Sequence, residues 1–367
     1  MAGIDENLAF APATELKELI ASKEVSPVEI TQLYLDRIDR LDGQLNSYLT
    51  VTSELALESA RKAEKAVVAG DELGPLHGIP ISIKDLQMTK GVKTTGGSLA
   101  YKDRVPDADC AVVERVLSAG AIMLGKTNSP EFGLLGTTEN RLGDPCRNPW
   151  NPERTSGGSS GGAGASIIAG LTSLATGGDG GGSIRIPASF TGTYGIKPTQ
   201  GRVSSYTGIN SPPAANYTSQ QGGLTRTVRD SALMLQVLSG YDSRDPGSLR
   251  APVPDFMAAT ERDVSGFRIG WSPDFGGISV DAEVAEITKG AIEAFSELGC
   301  SVDQSSLKLE NPFDPWLVIF AASAYVSNGH LLDDPADPLT WYGKWAIEQG
   351  RDVTTTDYVR ALGIRNQ

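Results

Sequence analysis

SGGSSGGAGASIIAGLTSLATGGDGGGSIR, residues 156–185, is the stretch that decides how the rest of the chain is read. Its glycines gather in two clusters around an apolar run, residues 163–174, that has the pattern of a helix. Each cluster delivers serine: Ser159 and Ser160 lie between Gly158 and Gly161, and Ser183 follows Gly180, Gly181 and Gly182. Glycine at this density permits backbone geometries that a Cβ forbids, so successive N–H groups converge on one point and a ligand comes close. A flexible Gly/Ser linker has a similar composition. The flanks favour a structured site instead, because a helical pattern and then a second cluster ending in SIRIPASF follow at once.

Neither cluster contains the Gly-Lys-[Ser/Thr] of a phosphate loop or a G-x-G-x-x-G fingerprint. A formal phosphate-loop match does occur upstream, GAIMLGKT at residues 120–127. That motif needs a strand before its first glycine and a helix after its lysine, whereas here strand-like AIML lies inside it and Asn128-Ser129-Pro130 follows. It is a chance match, and acyl chemistry is the stronger candidate.

The 367 residues are enough for one large α/β unit, and 40% hydrophobic with 21% charged residues is ordinary globular usage. A formal net charge of −13 opposes non-specific binding to nucleic acid or to an anionic membrane. Cys110, Cys146 and Cys300 are too few and scattered for a disulfide framework, which fits a reducing cytoplasm. The first twenty residues lack the basic-then-apolar pattern of a signal peptide. The longest apolar run, residues 316–326, is far short of the ~20 residues that span a bilayer and is expected to be a buried helix. Only His77 and His330 are available to a histidine-based hydrolase or a zinc site, so the base that activates a serine is expected to be another group.

In chain order, Ser26-Pro27-Val28-Glu29 is a capping box with proline at the first helical position, opening a helix that ends at Gly43. A second helix is expected over residues 53–69. Residues 80–84 alternate as a strand, Ile81 and Ile83 on one face, Ser82 and Lys84 on the other. A lysine there is either solvated, the usual state, or buried among Ile79, Ile81, Ile83 and Leu86, and burial would lower its pKa. A helix over 108–120 and a strand over 121–125 continue the α/β alternation. Residues 126–150 and 191–206 are rich in loop-forming residues, residues 229–241 and 281–298 read as helices, and residues 267–271 and 301–304 read as strands.

Four segments together resemble the amidase signature hydrolases: GIPISIKD around Lys84, AIMLGKTNSPEFG, RNPWNPERTSGGSSGGAGA, and GGDGGGSIRIPASFTGTYGIKPTQGRVS. They recur in that family's order, and the intervals from Lys84 to Ser159 and on to Ser183 look like the family's. The resemblance covers residues 76–206 most closely and implies a single domain over 1–367. The implied fold is α/β, a large open twisted mixed β-sheet with helices on both faces.

Carried over by position, the resemblance makes Ser183 the acyl-forming nucleophile, Ser159 the bridging serine after a cis peptide at Gly158, and Lys84 the base. Gly180, Gly181 and Gly182 would turn their N–H groups toward the oxyanion, Asp179 and Arg185 would orient the loop, and Ser160 would add a supporting hydrogen bond. A serine hydroxyl needs a positioned proton acceptor, and a lysine kept neutral by burial can be one. No metal or cofactor is implied.

The expected partner is a small-molecule amide, with Leu134, Leu135 and the Trp316 segment hinting at an aryl or hydrophobic acyl group, and with esters or carbamates as further substrates. A homodimer is one assembly left open; no nucleic-acid or membrane partner is expected. Two other functions also stay open: a glutamine-hydrolysing amidotransferase subunit, and a non-catalytic acyl-binding homologue. The sequence departs from the family in having glycine at both 178 and 180, which implies a looser loop. Family members also usually run past residue 367, so a truncated C-terminus that touches the acyl pocket is an expectation.

Overall fold

The computed structural model describes residues 4–209 and 218–366. Its helices, in chain order, are α1 (Ala13–Ala21), α2 (Pro27–Leu45), α3 (Ser53–Ala69), α4 (Ala111–Ser118), α5 (Gly161–Ile168), α6 (Arg185–Thr191), α7 (Val228–Leu238), α8 (Phe256–Ala259), α9 (Ala282–Glu297), α10 (Phe313–Asn328), α11 (Trp341–Arg351) and α12 (Thr355–Arg365). The strands are β1 (Tyr48–Val51), β2 (Pro80–Lys84), β3 (Ile122–Thr127), β4 (Arg147–Asn148), β5 (Asn151–Thr155), β6 (Leu174–Asp179), β7 (Tyr194–Gly195), β8 (Gln220–Thr225), β9 (Arg268–Trp271) and β10 (Ser301–Gln304).

The capping box that opens α2 is formed. Ser26 Oγ accepts the N–H groups of Val28 and Glu29, and the Glu29 carboxylate accepts the Ser26 N–H at 2.9 Å. These bonds satisfy donors that a helix start otherwise leaves open.

The central sheet runs in the order β1-β3-β2-β6-β8-β7. Strands β3, β2 and β6 are mutually parallel, and β1, β8 and β7 are antiparallel additions, so the sheet is mixed as expected. Side chains alternate across it: Ile81, Ile83 and Leu174 join the main core with α1 to α4 and α7, while Ala175 joins a second cluster with α5 and α6. Helices therefore cover both faces. All five residues of β2 are buried, which explains how Lys84 comes to lie in the interior.

The parallel pairing of β2 with β6 matters most for the site. Ile81 is in register with Leu174 and Ser82 with Ala175, so both strands end at the same edge of the sheet. Lys84 closes one strand and Asp179 the other, and the loop from Gly180 to Ser183 begins where they meet. Carboxyl ends of neighbouring parallel strands are where open α/β sheets usually bind ligands.

Two expectations need correction. The apolar run at 163–174 is not one helix: α5 stops at Ile168, the chain turns through Gly170 (φ +65°), and Leu174 already begins β6. Its hydrophobicity comes from burial on both sides, which helix and strand share. The run at 316–326 lies in α10, which is only part-buried: Ile319, Ala321 and Ala324 are covered, whereas Trp316 faces a cavity and Val326 is 83% exposed. Helix α9 forms where residues 281–298 read as a helix, with none of its residues buried and Ile287 65% exposed.

Helices α11 and α12 both pack on α10. Glu131, wholly buried, ties them to the sheet layer, its carboxylate accepting Ser98 Oγ at 2.7 Å and the Thr340 N–H and Oγ1 at 2.7 and 2.6 Å.

Candidate active site

Lys84 is 1% exposed, and its Nζ lies 2.7 Å from Ser159 Oγ and 2.9 Å from Ser160 Oγ. The strand parity that sends Ile81 and Ile83 to one core sends Lys84 to the face covered by α5, and the two serines stand just before the first turn of α5. The backbone N–H of Lys84 donates to Thr176 Oγ1 at 2.9 Å, which pins the strand end to β6. Burial pulls the Lys84 pKa down to about 7, and only the Asp179 charge opposes that shift. Near neutral pH a large share of this lysine is therefore the free amine, with a lone pair beside a serine hydroxyl.

The peptide between Gly158 and Ser159 is cis. Ser160 joins the two glycine clusters: its N–H donates to the Ser183 carbonyl at 3.1 Å while its Oγ accepts from Lys84. Ser183 is partly exposed and lines the same cavity as Lys84 and Ser159. Its hydroxyl makes no hydrogen bond to Ser159 Oγ in this conformation, so Lys84 to Ser159 is the closed link of the three.

Asp179 holds the glycine loop. Its buried carboxylate accepts the N–H of Gly182 at 2.7 Å, of Ile184 at 3.2 Å and of Arg185 at 3.3 Å, together with two bonds from the Arg185 guanidinium. Burial works against its ionisation, but the Arg185 hydrogen bond and the loop N–H groups outweigh burial and keep its pKa below the usual value. Gly182 sits at φ +114°, where side chains are disfavoured, and its N–H is committed to Asp179. Of the loop N–H groups, those of Gly181 and Ser183 meet no acceptor among the described residues.

The cavity above these groups has a volume of about 330 Å³. Leu134 and Leu135 line it as the sequence hinted, joined by Phe132, Ile186, Trp316 and Phe320. Gln87 and Gln221 were not legible as site residues: Gln87 Nε2 donates to Gln221 Oε1 at 3.0 Å along one wall, a pairing across 134 residues that no local pattern reveals.

The residues set aside by sequence fall elsewhere. Lys126 of the GKT triplet is buried in β3, where Nζ donates to the Gln87 carbonyl at 2.5 Å, Thr89 Oγ1 at 2.6 Å and Thr94 Oγ1 at 3.1 Å. That is no phosphate cradle. His77 Nε2 meets the Ala63 carbonyl and His330 meets Tyr101, both outside the cavity.

The fold thus gathers a buried lysine and serines at the carboxyl edge of a mixed sheet, against a cavity lined by both apolar and polar side chains. Residues 29–366 match the family model described as Amidase, and the chain belongs to the amidase signature family, enzymes acting on amide C–N bonds. The solved structure of a bacterial aryl acylamidase of that family superposes with a TM-score of 0.90 at 33% identity, covering 97% of this chain and 76% of the other. A glutamyl-tRNA(Gln) amidotransferase subunit from Moorella thermoacetica is 45% identical over 341 residues, 93% of this chain and 69% of that protein. An acylamidase from Rhodococcus erythropolis is 38% identical over 329 residues, 90% of this chain and 68% of that protein. No helix among the described residues is long and apolar enough to cross a membrane.

Proposed function

We propose that the chain hydrolyses carboxamides bearing an aryl or otherwise hydrophobic acyl group, through an acyl-enzyme on Ser183. The observation that carries this is the buried Lys84, its pKa pulled to about 7, 2.7 Å from Ser159 and in one cavity with Ser183. In the proposed cycle Ser183 Oγ attacks the carbonyl carbon; its proton passes to Ser159, and the Ser159 proton passes to neutral Lys84. The oxyanion meets the free N–H groups of Gly181 and Ser183, with Gly180 beside them and Gly182 bound back to Asp179. The lysine ammonium then returns a proton through Ser159 to the leaving nitrogen, and the C–N bond breaks. Water attacks the acyl-serine with the relay running again, releasing the acid and restoring Ser183. Apo geometry leaves the Ser159 to Ser183 link open, and substrate binding would close it.

Phe132, Leu134, Ile186, Trp316 and Phe320 favour an apolar acyl group, because filling the cavity removes their surface from water. Release of a chromogenic amine from aryl amides by the purified chain tests the proposal, with Ser183→Ala and Lys84→Ala alongside. Turnover lost in both variants supports it; equal turnover in Ser183→Ala would exclude Ser183 as nucleophile.

A second reading rests on the 45% identity to the Moorella amidotransferase protein: glutamine as the amide, with partner subunits completing the assembly. Glutaminase activity that appears only with such subunits, and no aryl amide turnover, would favour it.

A further inference from the structure

Trp316 reaches the glycine loop from 136 residues away, on the first turn of α10. Its indole Nε1–H donates to the Gly180 carbonyl at 2.8 Å. Its ring lies against Gly181, where a Cβ would stand 2.7 Å from Cζ2 and 3.1 Å from Cε2. The ring also stacks on Phe320, centroids 4.6 Å apart and planes 20° apart, so the indole is held by a partner on its own helix as well as by the loop.

The Gly180–Gly181 peptide is trans. In a planar trans peptide the carbonyl and the following N–H point in opposite directions, so fixing the Gly180 oxygen fixes the direction of the Gly181 N–H. Glycine on both sides of that peptide would otherwise allow it to rotate freely. The Gly181 N–H has no acceptor among the described residues, and Gly181 and Ser183 both line the cavity.

We infer that Trp316 is a positioning residue for the oxyanion: by anchoring the Gly180 carbonyl it presents the Gly181 N–H as a donor, while its ring forms the acyl wall. This rests on the proposed role of Ser183. A donor aimed before reaction begins stabilises developing charge without reorganisation, so its effect belongs to the transition state rather than to substrate binding.

Trp316→Phe deletes the indole N–H and keeps a ring to stack on Phe320; Trp316→Leu removes both. Turnover of an aryl amide and the rate at which an aryl fluorophosphonate labels Ser183 would be measured for both variants and the wild type. For Trp316→Phe the expected result is a kcat lower by about 10-fold or more with KM within about twofold. Labelling slows in parallel, because phosphonylation also builds charge on an oxygen. Trp316→Leu raises KM as well. A Trp316→Phe chain with unchanged kcat and labelling rate overturns the inference, as does a rise in KM alone, which would leave Trp316 as wall only. A wild type that is labelled but turns over no amide counts against the amidase proposal, and the labelling ratio still decides Trp316.

Discussion

Asp179 and Arg185 form a forked ion pair, Arg185 Nε to Oδ2 at 2.8 Å and Nη2 to Oδ1 at 2.9 Å, in which the carboxylate is buried and the arginine is 57% exposed. Solvent screens a pair with one exposed partner, so its direct effect on stability is small. Its consequence is geometric, since the same two oxygens also hold the N–H groups of Gly182, Ile184 and Arg185. Asp179→Asn cannot accept at all of these, and kcat for an aryl amide is expected to fall roughly 10- to 100-fold with KM little changed. Unchanged kcat would remove Asp179 from loop positioning.

With Lys84 as the proposed base, that residue should set the pH dependence. A base must be neutral to accept a proton, and burial holds this lysine at about 7, so kcat/KM should rise with pH through that value and level off above it. Lys84→Ala is expected to lose about 10²–10⁴ in kcat and to lose that limb of the profile. A wild-type profile flat from pH 6 to 9 would show that another group is the base.

The same burial affects folding. Below about pH 7 the folded and unfolded chains both carry the proton, and the folded state bears the full cost of a buried ammonium. Between about 7 and the ordinary lysine value of 10.5 the unfolded chain binds more protons, so this group's contribution to stability improves as pH rises. Lys84→Met has no such term. Its melting temperature relative to wild type should be more favourable at pH 6 than at pH 9.5, and a pH-independent difference would contradict the buried, titrating amine.

Glu131 is the tie between the sheet layer and the helices that wall the cavity. Glu131→Gln replaces one acceptor oxygen by a donor facing Thr340 or Ser98, an exchange expected to cost about 1–3 kcal/mol in urea unfolding. Because α10 packs on α11, KM for aryl amides should rise in the same variant. Wild-type stability would mean that a water or a rotated amide replaces the lost bonds.

Much of this was legible in the letters, and the failures share one cause. The capping box at Ser26, the strand ending at Lys84 and the two serine-bearing clusters are local patterns, and local chemistry settles them. Lys84 could be read either as solvated or as buried, because a five-residue strand does not reveal that it is central; only pairing to β3 and β6 decides that. The helix over 163–174 failed because α5 and the start of β6 are both buried, and the residues that break them apart, Gly170, Thr172 and Ser173, are small and buried as well. The Gly182 N–H was expected to serve the oxyanion, yet a carboxylate three residues earlier takes it, a competition that composition cannot show. Gln87 with Gln221, and Trp316 with Gly180, are contacts across more than 130 residues and left no periodic trace.

The parallel pairing of β2 with β6 brings the proposed nucleophile, bridging serine and base together from residues 84 to 183, whereas α10 arrives much later in the chain and touches the loop through one indole. On the proposed reading the reactive groups all come from the earlier stretch, while the acyl wall is shared between Phe132 and Leu134 of that stretch, Ile186 just after it, and Trp316 and Phe320 of α10. Residues 313–328 could be exchanged to readdress the site to another acyl group while the reactive stretch keeps its sequence, provided that the newcomer still supplies a donor for the Gly180 carbonyl.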